Sequence, residues 1–104
     1  MAKIIWSELA KEHLRRIDEY IVEGAPFYSI IFIDKLIASV ERLGQFPSSG
    51  RVVPEFGRED LREIFFHKYR IVYLIRDDGI AILAVIHGAM DIEKQFEKEP
   101  WDFS

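Results

Sequence analysis

The most constraining stretch of the chain is "YRIVYLIRDDGIAILAVIHG", residues 69–88, two apolar runs around an Asp-Asp-Gly turn with no proline in either. Side chains alternate between faces along a strand. One face of such a hairpin holds Val72, Leu74, Leu83 and Val85, and the other holds Ile71, Tyr73, Ile75, Ile82, Ala84 and Ile86. A hairpin apolar on both faces has to sit inside a sheet with cover on either side. The 104 residues, 49% hydrophobic and 31% charged, supply that cover within one globular domain, residues 1–104. If Asp78-Gly79 forms a two-residue type I′ loop, Arg70 falls opposite His87 on one face. A three-residue loop instead sets His87 opposite Tyr69.

The other elements follow from local signals. "KIIW" is short, β-branched and aromatic, and Ser7 after it is a good helix N-cap. Leu9, Ala10, Leu14, Ile17, Tyr20 and Ile21 recur at helical spacing over residues 8–23, ending near Gly24. Ala25-Pro26 starts a second helix carried by Ile33, Leu36, Ile37, Val40 and Leu43, and Gly44 and Pro47 end it. The short connection makes the two an antiparallel hairpin. Phe27, Tyr28, Ile31 and Phe32 widen the apolar face of the second helix, as core or as a partner surface. "FPSSGRVVPEFGRED" reads as a loop, either functional or an ordered crossover to the sheet. "LREIFF", "YRIVYLIR" and "IAILAVIHG" then form an antiparallel meander. The expected fold is α+β, of order β-α-α-β-β-β: a helical hairpin on one face of a small, twisted, mainly antiparallel sheet, with the other face as the working surface. In the acidic tail, residues 91–104, Ile92 and Phe96 lie four apart and make one face of a short helix, with Trp101 and Phe103 as further anchors. Their docking site is either this chain or a partner.

Several function classes are excluded or disfavoured. The chain has no cysteine, hence no disulfide framework or thiolate nucleophile, and His13, His67 and His87 lack metal-ligand spacing. No metal or cofactor is expected. No stretch has the apolar length of a membrane span, and no secretory leader is evident, so a cytoplasmic location is expected. The net charge of −4 has the wrong sign for a protein gripping nucleic acid with its whole surface, although Arg51, Arg58, Arg62, Lys68, Arg70 and Arg76 cluster in sequence.

The pieces "FPSSGRVVPE", "LRE", "YRIVY" and "VIHGAMD", in this order over residues 3–95, resemble the RelE/ParE superfamily of toxins from type II toxin–antitoxin pairs. The resemblance implies a small α+β toxin neutralised by an antitoxin that wraps it. It implies one of two targets, messenger RNA cut on the ribosome or DNA gyrase blocked by binding. A third alternative is a repurposed module that only binds. A homodimer and a toxin–antitoxin hetero-oligomer are both open. In the nuclease branch, similar positions to Glu55, Arg70 and His87 carry catalysis. Those residue types suit it: a base for the 2′-OH, a cation for the phosphorane and an acid for the leaving oxygen. Arg51, Arg62 and Lys68 are then phosphate contacts and Tyr69 a base-stacking residue. The chain departs from that branch at Gly88, where an aromatic is common, and at Met90, where an arginine is common.

Overall fold

The computed structural model describes residues 1–103; Ser104, the end of the expected tail, lies outside the described residues. The element order is β1 (Lys3–Trp6), α1 (Glu8–Gly24), α2 (Pro26–Glu41), β2 (Arg51–Val52), β3 (Leu61–Phe66), β4 (Tyr69–Arg76), β5 (Gly79–His87) and α3 (Ile92–Lys98). The sheet runs β1-β5-β4-β3-β2, with β1 parallel to β5 and every other pairing antiparallel. This is the expected α+β layout, with β4 and β5 at its centre as their two apolar faces demand.

Ser7 caps α1 by accepting a hydrogen bond from the Ala10 amide. Pro26 opens α2 at a position where its missing N–H costs nothing. The hairpin packs Ala10, Ile17, Phe32, Leu36 and Val40 against Ile71, Tyr73, Ile80, Ile82 and Val85. The stretch between α2 and β3 is an ordered crossover containing two 3₁₀ turns, Arg42–Gly44 and Pro47–Ser49, and the edge strand β2. The Tyr73 hydroxyl fastens it, donating to the Pro47 carbonyl (2.7 Å) and accepting from the Gly50 amide (3.0 Å). A Cβ at Gly50 would lie 2.5 Å from that hydroxyl and 2.6 Å from the Glu63 carbonyl, so only glycine fits there.

The hairpin register corrects one expectation. The loop is Asp77-Asp78, and Gly79 already pairs with Arg76 as the first residue of β5. Gly79 adopts φ +146 because β1 passes so close that any Cβ would collide with the Lys3 carbonyl. A bulge then leaves Leu83 unpaired, between Tyr73↔Ile82 and Val72↔Ala84, and shifts the rest of β5 by one residue. Tyr69 therefore faces His87, and Arg70 faces Ile86. Arg70 and His87 point to opposite sides of the sheet. Ala84 and Ile86 correspondingly join Val72, Leu74 and Leu83, while Val85 joins the helix side.

The second correction concerns the face away from the hairpin, which is covered. Val53, Phe56, Ile92, Phe96, Trp101 and Phe103 pack over it. Phe56, Phe96 and Trp101 contact one another at ring-centroid distances of 5.0–5.5 Å. Trp101 is 5% exposed, so the C-terminal segment belongs to this chain's own core.

Candidate functional site

Two regions on either side of β4 contain the expected site residues. On the face covered by the C-terminal segment, Arg70 is buried and its Nε donates to Glu63 Oε1 (2.6 Å). Its two terminal nitrogens donate to Glu55, at 3.0 and 2.8 Å, as a bidentate pair. Glu63, fully buried, accepts on its other oxygen from Arg51 Nε (2.7 Å), and the Arg51 guanidinium lies 4.9 Å over the Phe65 ring. Arg51, Glu63, Arg70 and Glu55 thus form one chain of alternating charges, two of each sign. The hydrogen bonds from Arg70 hold the Glu55 carboxyl below the usual range, and those carboxylates in turn raise the proton affinity of Arg70 above its ordinary value. Arg62 is committed as well. It donates to the carbonyls of Glu59 and Gly50 and bridges to the Glu59 carboxylate.

On the hairpin side, a cleft of about 530 Å³ opens between the helices and the β3–β4 turn, lined by Tyr20, Phe32, His67, Lys68, Tyr69 and His87. The turn is His67-Lys68, with His67 at φ +53, a left-handed conformation for which histidine is among the more tolerant residues. Its ring rests against Phe66 and Phe32, at centroid distances of 4.5 and 5.3 Å. Tyr69 and His87 meet edge to face at 5.5 Å. His87 Nδ1 accepts from the Ala89 amide (3.1 Å), which leaves Nε2 to carry the ring proton in the neutral form. Among the described residues Lys68 makes no ion pair. Burial pushes the Tyr69 phenol up.

The structure therefore unites Glu55 with Arg70, adds Arg51, and leaves His87 with Lys68 and Tyr69 in a separate cleft. Two residues of that cleft carry no signal in the sequence. Tyr20 keeps the helical period of α1 yet is 75% exposed, and His67 is marked only by its place in a turn. His13 was equally silent. It is buried, and its Nδ1 accepts from the Val85 amide (3.0 Å) on the stretch of β5 that extends beyond β1, while Nε2 faces Glu99 at 3.3 Å. Desolvation lowers its proton affinity, against the opposing pull of Glu99. Among the described residues, no group of three His, Asp or Glu side chains is placed to hold a metal ion, and no helix is long and apolar enough to cross a membrane.

The family model for the ParE toxin of the type II toxin–antitoxin system parDE matches residues 4–92, from β1 to the first residue of α3. The chain belongs to the ParE toxin family. A solved structure described as the chromosomal ParDE TA system from P. aeruginosa has a similar fold, with a TM-score of 0.72 over 84% of this chain and 96% of that one. At 18% identity, that likeness concerns the fold alone. No curated protein matches the chain. Membership makes this chain the toxin of a toxin–antitoxin module, with an antitoxin as its partner. The residues after 92, which complete α3 and supply Trp101 and Phe103, lie outside the family match.

Proposed function

We propose that this ParE-family toxin acts by binding its target and not by cleaving RNA, and that the target is DNA gyrase. One observation carries the reading: Arg70, the cation a nuclease needs at the phosphate, is saturated by Glu55 and Glu63 and turned away from His87. Freeing it would strip the buried Glu63 of its buried partner and leave only Arg51 to neutralise it, at a cost of several kcal/mol. A phosphorane would have to displace two carboxylates already in place. The acidic net charge, −4, also weakens steering toward the ribosome.

Ribosome-dependent cleavage is the second reading, favoured by the open cleft in which Lys68, Tyr69 and His87 stand together. Purified toxin, separated from its antitoxin, is titrated into a gyrase supercoiling reaction and, in parallel, into a translating-ribosome assay for messenger RNA cleavage. Expected are inhibited supercoiling and intact message. Cleavage that disappears in His87→Ala, with supercoiling unaffected, would replace the first reading with the second.

A further inference from the structure

Lys68 and His87 stand side by side across the sheet from the Arg70 network, which uses neither of them. The Gly88 amide donates to the Lys68 carbonyl (2.7 Å), and Tyr69 pairs with His87 in the sheet register, so the two segments are pinned together. The cleft they share with Tyr20, Phe32, His67 and Tyr69 has no acidic residue in its lining, in a chain with 18 acids against 14 lysines and arginines. Among the described residues, the Lys68 ammonium makes no ion pair. With Nδ1 of His87 taken by the Ala89 amide, Nε2–H has no partner among those residues either. The Tyr20 and Tyr69 hydroxyls are likewise uncommitted there, and the Tyr20 phenol adds to the upward push that burial gives Tyr69. One permanent positive charge and several N–H and O–H donors thus line a space of about 530 Å³.

The β3–β4 turn departs from local preference at the same place. In a two-residue hairpin loop whose first residue alone has positive φ, glycine is the favoured occupant, yet His67 holds that position. Its ring rests on Phe32 and Phe66, which places an N–H-bearing ring in the cleft wall where glycine would leave none.

These features select a ligand. Aromatic rings take the face of a planar heterocycle, whatever its identity, and a lysine with N–H and O–H donors beside it takes a phosphate. A single lysine matches a single phosphate. In the adjoining hollow, which shares Tyr69 and His87, Arg16 is committed to Glu12 and Glu99, and Glu19 and Glu23 flank Tyr20 along α1. A strand bearing a phosphate at every step finds no cationic track to follow. The volume is that of a small-molecule site. We propose that the cleft binds a free nucleotide, with its base on Tyr20 and Tyr69 and its phosphate on Lys68 and His87. The site is independent of the toxin's target, because it uses neither Arg70 nor its carboxylates.

The test is isothermal titration calorimetry of the purified full chain, freed of antitoxin, with adenosine 5′-monophosphate, adenosine, inorganic phosphate and a single-stranded oligoadenylate. Expected is saturable binding of the monophosphate, with a dissociation constant between about 10 µM and about 1 mM, and at least about tenfold weaker binding of adenosine or phosphate alone. Lys68→Ala and Tyr20→Ala should each weaken it about tenfold at an unchanged melting temperature. Lys94→Ala, at an exposed lysine of α3 outside the cleft, should leave it as in the wild type. His67→Gly should lose affinity without losing stability. In the wild type, amide resonance shifts caused by the nucleotide should centre on residues 67–69 and 87–89, a readout that does not depend on any variant's folding. No saturable binding of the monophosphate up to about 5 mM would overturn the proposal. So would binding that Lys68→Ala and Tyr20→Ala leave intact, or phosphate alone binding as tightly as the nucleotide. An oligoadenylate that binds where the monophosphate does not would make the cleft a strand groove and refute it as well. Each readout is taken without gyrase or ribosomes, so a failure here leaves the choice of target standing.

Discussion

Tyr69 and Arg70 are adjacent in sequence, yet they belong to regions with opposite economies of polar groups. Around Arg70 the guanidinium and both carboxylates are paired with one another, on the sheet face that also buries Val53, Leu61 and Trp101. Around Tyr69 and His87 the groups are half exposed, Lys68 has no counter-charge among the described residues, and the two rings contact one another edge to face. Strand alternation separates the two by one residue. A fully paired charge network stabilises the fold and resists recruitment, whereas a loosely paired cleft contributes little stability and remains available to a ligand.

Substitutions should divide along this line. Arg70→Ala leaves Glu63 buried without its main partner and should cost about 3–5 kcal/mol in urea denaturation. A loss below about 1 kcal/mol would mean that the network is slack. Trp101→Ala removes a buried indole from the cover of the same face and should cost about 3 kcal/mol, at the low end for such truncations because its Nε1 has no hydrogen-bond partner to lose among the described residues. A tail that served only a partner would show no such loss.

His13 gives a pH dependence with a definite sign. Its folded-state proton affinity is lowered by burial, and Nδ1 must stay unprotonated to accept from the Val85 amide. The stability it contributes is therefore present above the unfolded value, about 6.5, and declines as pH falls below it, by at most about 1.4 kcal/mol per unit. Denaturation midpoints between pH 7.5 and about 5.5 should show this slope in the wild type and lack it in His13→Gln. The lowered carboxyls of Glu55 and Glu99 add a further loss only when the pH falls below about 4.5. In the open cleft, His87→Ala and Lys68→Ala should each change stability by less than about 0.5 kcal/mol. A large loss at either position would erase the contrast between the two regions.

Much of the fold was legible because it follows from local rules: Ser7 as a cap, Pro26 as a start, helical period in both helices and apolar alternation in the strands. The expected docking of Ile92, Phe96 and Trp101 also fits the structure, with this chain as the surface they dock on. What escaped was non-local. The bulge at Leu83 falls just past Ile82, where the pairing of β5 with β1 ends, and its single-residue shift places His87 on the other side of the sheet from Arg70. The pairing of Arg70 with Glu63 could be anticipated from neighbouring strands. The closure of Glu55 onto the same guanidinium depends on the crossover loop, itself held by Tyr73 and shaped by Gly50. Tyr20 and His13 share the apolar stripe of α1, and only tertiary packing makes one an exposed cleft wall and the other a buried acceptor.

The central claim, that Arg70 is structural, is tested most directly by replacing the charges with apolar and neutral groups of similar size. A Glu55→Gln, Glu63→Leu, Arg70→Met variant removes the guanidinium without stranding a buried charge, a class of exchange that leaves proteins folded. It is expressed from an inducible promoter without antitoxin, and its melting temperature is measured alongside growth. Expected is a folded toxin that arrests growth as the wild type does. A variant that melts normally but no longer arrests growth would contradict the claim and place Arg70 in the toxic chemistry.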